Sequence, residues 1–141
     1  MKKIKLESTT QKPIQIFEFK AYSSGVNIAV LGSAVQSSSL NDNIRFRASL
    51  AIDGINSTFS HTKAWGAWLE IDLPAPTNIE NVAILNRWCV DSSDPKGCLC
   101  RLSNSMLTLY GANGVPLSRL KLGNTCGSQV VSQPLMPCSN S

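Results

Sequence analysis

The chain is punctuated so often that no stretch of it can run as a long helix. Short apolar alternations follow one another, and Gly, Pro, Asn or Ser cuts each of them off. IKLE (4–7) alternates and TTQKP stops it. IQIFEFKAY (14–22) comes next, then NIAVLG (27–32) after a Ser-Ser-Gly break. A period of two sends successive side chains to opposite faces, which is the signature of a strand. In AWLEIDL (67–73), Leu69, Ile71 and Leu73 oppose Trp68, Glu70 and Asp72; in IENVAILNRW (79–88), Val82 and Ile84 point inward. MLTLY (106–110) and LSRLKL (117–122) are joined by Ala112-Asn113-Gly114, a turn suited to positive φ. QVVSQPLM forms a last strand, which Pro134 assigns to an edge.

Two stretches break this rhythm. Within 14–22 the phase slips: Ile14 and Ile16 share one face, whereas Phe17, Phe19 and Ala21 share the other. That pattern calls for a strand buried on both sides or for a bulge. Residues 33–66 are mostly irregular, with RASLAI as a brief helical turn; such stretches are functional loops or are unusually well tied down. The expected fold is therefore all-β, an antiparallel β-sandwich or jelly roll. At 141 residues and 43% hydrophobic, 1–141 is read as a single domain that can bury its own core, without repeat or linker.

Charge narrows the partners. Of the net +4, Lys2, Lys3, Lys5, Lys12 and Lys20 face only Glu7 and Glu18 in the first twenty residues, and the rest is near neutral. No basic stripe tracks a phosphate backbone, so nucleic acid is not an expected partner. Membrane insertion is not expected either, and MKKIKLESTTQKP lacks the apolar run of a signal peptide. Five cysteines nonetheless suit an oxidising environment. Cys98 and Cys100 are expected on one face of a strand, too poorly placed to bond each other. The economical pairing joins Cys89 to Cys98 or Cys100, closing CVDSSDPKGCLC, and Cys126 to Cys138. A four-thiolate zinc site is the rival, though the one-residue Cys98–Cys100 spacing is off its usual pattern.

Catalytic signatures are absent: no G-x-S-x-G, H-E-x-x-H, phosphate loop or dinucleotide fingerprint occurs. Glu70 and Asp72 share a strand face, where a solvated salt link is a simpler reading than an acid–base pair. A non-enzymatic chain is expected. Its polar interest lies in the single histidine, His61, in Arg87 at the end of a strand in LNRW, and in Arg101 in RLSN. Arginine forks suit vicinal hydroxyls or a carboxylate, and Trp65 or Trp88 offers an apolar platform.

NIAVLGSAVQSS, AIDG, SHT, WLEIDL, IENVAILNRW and RLSNSMLTLY, in that order, resemble the discoidin-like, galactose-binding-like family. Over residues 27 to 122 the likeness is greatest to its F-type lectins, the fucolectins. IKLE and IQIFEFKAY resemble the strands that usually close such domains, which implies a jelly roll permuted at the termini. The resemblance implies a fucose- or galactose-containing glycan held by His61, Arg87 and Arg101. Where those lectins have an aspartate two residues after the first arginine, this chain has Cys89, and their adjacent cysteine pair is Cys98-Leu99-Cys100. The resemblance also implies a structural calcium held by Asp53 and Glu18, completed by oxygens of Leu50, Ile55 or Asn56, and Thr58. Asn56 also opens an N-S-T acceptor pattern for glycosylation. WCV…CLCRLSN further resembles discoidin-like domains encoded by large double-stranded DNA viruses of algae. That implies a virion or extracellular surface location. The alternative it carries is a structural piece that contacts other virion proteins through Leu50, Phe59 and Trp65 and has lost sugar binding.

Overall fold

A computed structural model describes residues 1–88 and 95–135. Ten strands are found there: β1 (Lys3–Glu7), β2 (Gln15–Ser23), β3 (Val26–Asn27), β4 (Ser33–Gln36), β5 (Ser60–His61), β6 (Trp68–Asp72), β7 (Asn81–Asn86), β8 (Met106–Tyr110), β9 (Pro116–Lys121) and β10 (Val130–Pro134). They form two antiparallel sheets, ordered β4-β6-β1-β8-β9 and β10-β7-β2-β3, with β5 pairing to the start of β2. The all-β sandwich expected from the alternations is the fold. Strands β1 and β2, first in sequence, lie in the interior of their sheets, so each is hydrogen-bonded on both sides.

Alternation explains the layers. Ile4 and Leu6 of β1 turn inward beside Leu69 and Ile71 of β6 and Leu107 and Leu109 of β8. Phe19, Ala21, Val82 and Ile84 cover them from the other sheet in one continuous core. The outward faces carry charge, as expected for Glu70 and Asp72: Lys5 lies 3.8 Å from Glu70, and Lys2 lies 3.2 Å from Asp72. Gly32 leads into β4, where a Cβ would collide with the Asp72 carbonyl, so the closeness of β4 to β6 excludes any side chain there. β10 is an edge strand, as Pro134 led us to expect.

The phase slip in 14–22 is a bulge. Ile16 pairs with Asn86 and Glu18 with Leu85, leaving Phe17 as the extra residue. Ile14, Ile16, Phe19 and Ala21 are therefore all buried, while Phe17 is turned away. Residues 33–66 prove tied down by side chains rather than by long elements. Gln36 donates to the Phe46 carbonyl at 2.8 Å, Asn43 caps a 3₁₀ turn at Ile44–Phe46, and Ser38 accepts from the Lys63 amide at 2.9 Å. RASLAI holds a 3₁₀ turn, Ala48–Ile52. NIAVLG holds a 3₁₀ turn, Ala29–Leu31, and only its Asn27 belongs to a strand.

The cysteines depart from expectation. Cys98 and Cys100 lie in a 3₁₀ helix, Pro95–Leu102, not on a strand face. Cys126 is bonded to Cys100, so it does not pair with Cys138. Cys98 is also in a disulfide, which leaves no thiolate set for zinc among the described cysteines. The expected pairing of Cys89, and Cys138 itself, lie outside the described residues. No helix among the described residues is long and apolar enough to cross a membrane.

Candidate functional site

β5 is only two residues long, yet it sets the site. It pairs His61 with Gln15 across the start of β2, and the Thr62 hydroxyl accepts from the Ile14 amide at 2.9 Å. From the other side comes the 3₁₀ helix Pro95–Leu102, which carries Arg101. Two devices hold that helix. One is the Cys100–Cys126 bridge. The other is buried Asn86, which donates to the Leu99 carbonyl at 2.8 Å and to the Ser128 carbonyl at 3.2 Å. Arg101 then donates through Nη1 to the Gln15 side-chain oxygen. The result is a cleft of about 400 Å³ lined by Gln11, Lys12, Leu40, His61, Thr62 and Arg101, among others.

His61 is poised as a neutral ring. Burial pushes its pKa below the ordinary value; the hydrogen bond to Thr62 works against this, and Arg101 and Arg87 add to the depression. Nδ1 lies 2.7 Å from the Thr62 carbonyl. A carbonyl only accepts, so Nδ1 carries the proton and Nε2 is the acceptor. Burial likewise lowers the Arg101 pKa, though a guanidinium stays charged at any working pH.

Arg87 is placed differently. It joins His61 and Arg101 in one neighbourhood but is not among the residues lining the cleft. Its guanidinium carbon lies 4.2 Å from the ring centre of Phe59 and 5.1 Å from that of Phe17, and Nη1 donates to the Trp88 carbonyl at 2.6 Å. Phe59 also meets Phe17, Phe46 and His61, with ring centres 5.9, 5.4 and 6.3 Å away. These contacts place the Arg87 guanidinium over the Phe59 ring. Trp65 is 70% exposed and holds a left-handed backbone, φ 68°, which a bulky residue adopts only under strain. Trp88 is half-buried.

The same bulge that turns Phe17 toward Arg87 buries Glu18 under the loop after Ala48–Ile52. One Glu18 oxygen accepts from the Gly54 amide at 2.9 Å, where φ is +76°; Oε1 is buried without a hydrogen-bond partner. Burial raises the Glu18 pKa to about 7, with the neighbouring Asp53 carboxylate adding to the rise. Asp53 accepts from the Ile55 amide at 2.9 Å and the Thr58 hydroxyl at 2.6 Å. Leu50 is half-buried in the preceding turn, and Asn56 is exposed. Among the described residues no three His, Cys, Asp or Glu side chains converge, so a cation here would rely on two carboxylates and neutral oxygens. An orphaned carboxylate oxygen beside a second carboxylate fits a hard dication.

Gln15 and Phe46 escaped the sequence reading; Phe17 was marked by the phase slip, and Phe59 was expected as a contact residue rather than as a partner of Arg87. Compared with known protein families, curated proteins and solved structures, the chain matches none.

Proposed function

We propose that the chain is a non-enzymatic carbohydrate-binding module of the F-type lectin kind, taking a fucose- or galactose-containing glycan at a virion or extracellular surface. The observation that carries this reading is the shared cleft of His61 and Arg101. A sugar hydroxyl both donates and accepts. Nε2 of neutral His61 accepts a hydrogen bond from one hydroxyl, while the Arg101 fork donates to its neighbours. Arg87 serves from the flank, held by Phe17 and Phe59. No carboxylate is found among the described residues that line the cleft. Glu18 and Asp53, with oxygens from the 50–58 turn, are the residues that would hold calcium. Bound there, the ion would neutralise buried Glu18 and exposed Asp53 and stiffen the loop leading to Phe59 and His61.

A second reading, a structural component that contacts other virion proteins, is favoured by exposed apolar side chains in the same long stretch. Ile44 is 73% and Trp65 is 70% exposed. Of the other contact candidates, Leu50 and Phe59 are half-buried.

An array of fucosylated and galactosylated glycans, probed with oxidised, calcium-loaded protein, tests the choice. Specific capture is expected, and Arg101→Gln is expected to weaken it by about tenfold or more. Capture of no glycan by the parent protein would favour the structural reading.

A further inference from the structure

We infer that the glycan is an acidic one, its carboxylate or sulfate seated between Arg101 and Lys12. The inference rests on the carbohydrate reading and adds the charge of the ligand to it. Arg101 is half-buried and directs one hydrogen bond to a neutral acceptor, the Gln15 side-chain oxygen. A guanidinium has five N–H donors, and removing it from water without an anion is costly. Burial lowers the Arg101 pKa, and no carboxylate among the described residues offsets it. Lys12 stands exposed on the cleft wall, also without an ion-pair partner among the described residues. Asp42, near the lining residue Leu40, is engaged by Lys63 at 2.8 Å. The cleft's described lining thus presents two fixed positive charges and no negative one.

The contrast with the other large groove is instructive. That groove, about 460 Å³, is lined by Lys2, Lys3, Glu70 and Asp72, and its charges satisfy one another: Lys2 lies 3.2 Å from Asp72 and Lys3 3.8 Å from Glu70. Of these two grooves, the His61 cleft is the one whose described cations lack an ion-pair partner. A neutral sugar would leave them unpaired. A carboxylate or sulfate would accept the Arg101 fork through two oxygens, and Lys12 would supply a second charge from the rim. Neutral His61 adds no charge and keeps Nε2 for a hydroxyl.

The test uses titration calorimetry of the full chain with four probes: a neutral galactose oligosaccharide, the same with one sulfate, a matched oligosaccharide ending in a uronate, and inorganic sulfate. Binding of the sulfated or uronate form about tenfold tighter than the neutral form is expected. Which of the two is tighter separates a sulfate site from a carboxylate site. The preference should shrink as salt rises from about 0.05 to 0.5 M. Lys12→Gln, an exposed change that spares folding, should cut it several-fold, and Arg101→Gln should abolish it. Equal, salt-independent affinity for neutral and acidic glycans overturns the inference and leaves the carbohydrate reading standing. Inorganic sulfate binding as tightly as the sulfated sugar overturns the carbohydrate reading, and the inference with it.

Discussion

Without calcium at neutral pH, the Glu18→Gln protein is expected to melt at a higher temperature than its parent, and to ignore added calcium. Glu18 is fully buried, and its pKa is raised from 4.5 to about 7. A carboxyl with a raised folded-state pKa contributes its full stability below the unfolded value. That contribution is lost as pH rises from about 4.5 through about 7. Metal-free parent protein should therefore lose about 2–3 kcal/mol across that window. Glutamine keeps the acceptor for the Gly54 amide and removes the buried charge, so the variant should lack this slope. At pH 7 it should melt about 5–10 °C above the metal-free parent. Calcium reverses the order: at a hundredfold excess over its Kd it stabilises the parent by about 2.7 kcal/mol and the variant by nothing. Melting curves over pH 4 to 8, with calcium and with chelator, read both effects. A parent indifferent to calcium would remove the proposed site.

The second large effect is expected from the double variant Cys100→Ser, Cys126→Ser. The bridge spans 26 residues, and its removal should cost about 3.5 kcal/mol by chain entropy. The loss has a functional side, because Cys100 is the neighbour of Arg101. Asn86 still grips the Leu99 carbonyl, so the 3₁₀ helix should persist but hold its arginine less firmly. Glycan affinity should fall by about tenfold, from ordering that the parent completes before binding. Urea unfolding and calorimetry measure the two losses separately. Lower stability with unchanged affinity would mean that the bridge does not position Arg101.

The sandwich was legible because its strands are amphipathic: alternation such as Ile4/Leu6 against Lys3/Lys5 is local and needs no partner to be read. The bulge was half legible, since the phase slip marked its place without saying that Phe17 was the extra residue. Residues 33–66 were harder, because Gln36, Ser38 and Asn43 tie that stretch through side chain to backbone bonds that leave no periodic trace. The disulfide was misread for a related reason. Proximity in sequence favoured Cys126 with Cys138, whereas a 3₁₀ helix brought Cys100 to Cys126. At the cleft, residue type flagged His61 and Arg101. Gln15, which links the arginine to the histidine's strand, had no chemical signature of its own.

With one histidine in the chain, the imidazole signals of His61 are unambiguous in a nitrogen-resolved NMR spectrum. Titrating calcium-loaded protein with a fucose- or galactose-bearing oligosaccharide should shift the Nε2 resonance saturably, at the midpoint found by calorimetry. The Nδ1–H should stay bonded to Thr62. Glycan binding that leaves the ring signals unmoved would contradict a sugar site in this cleft.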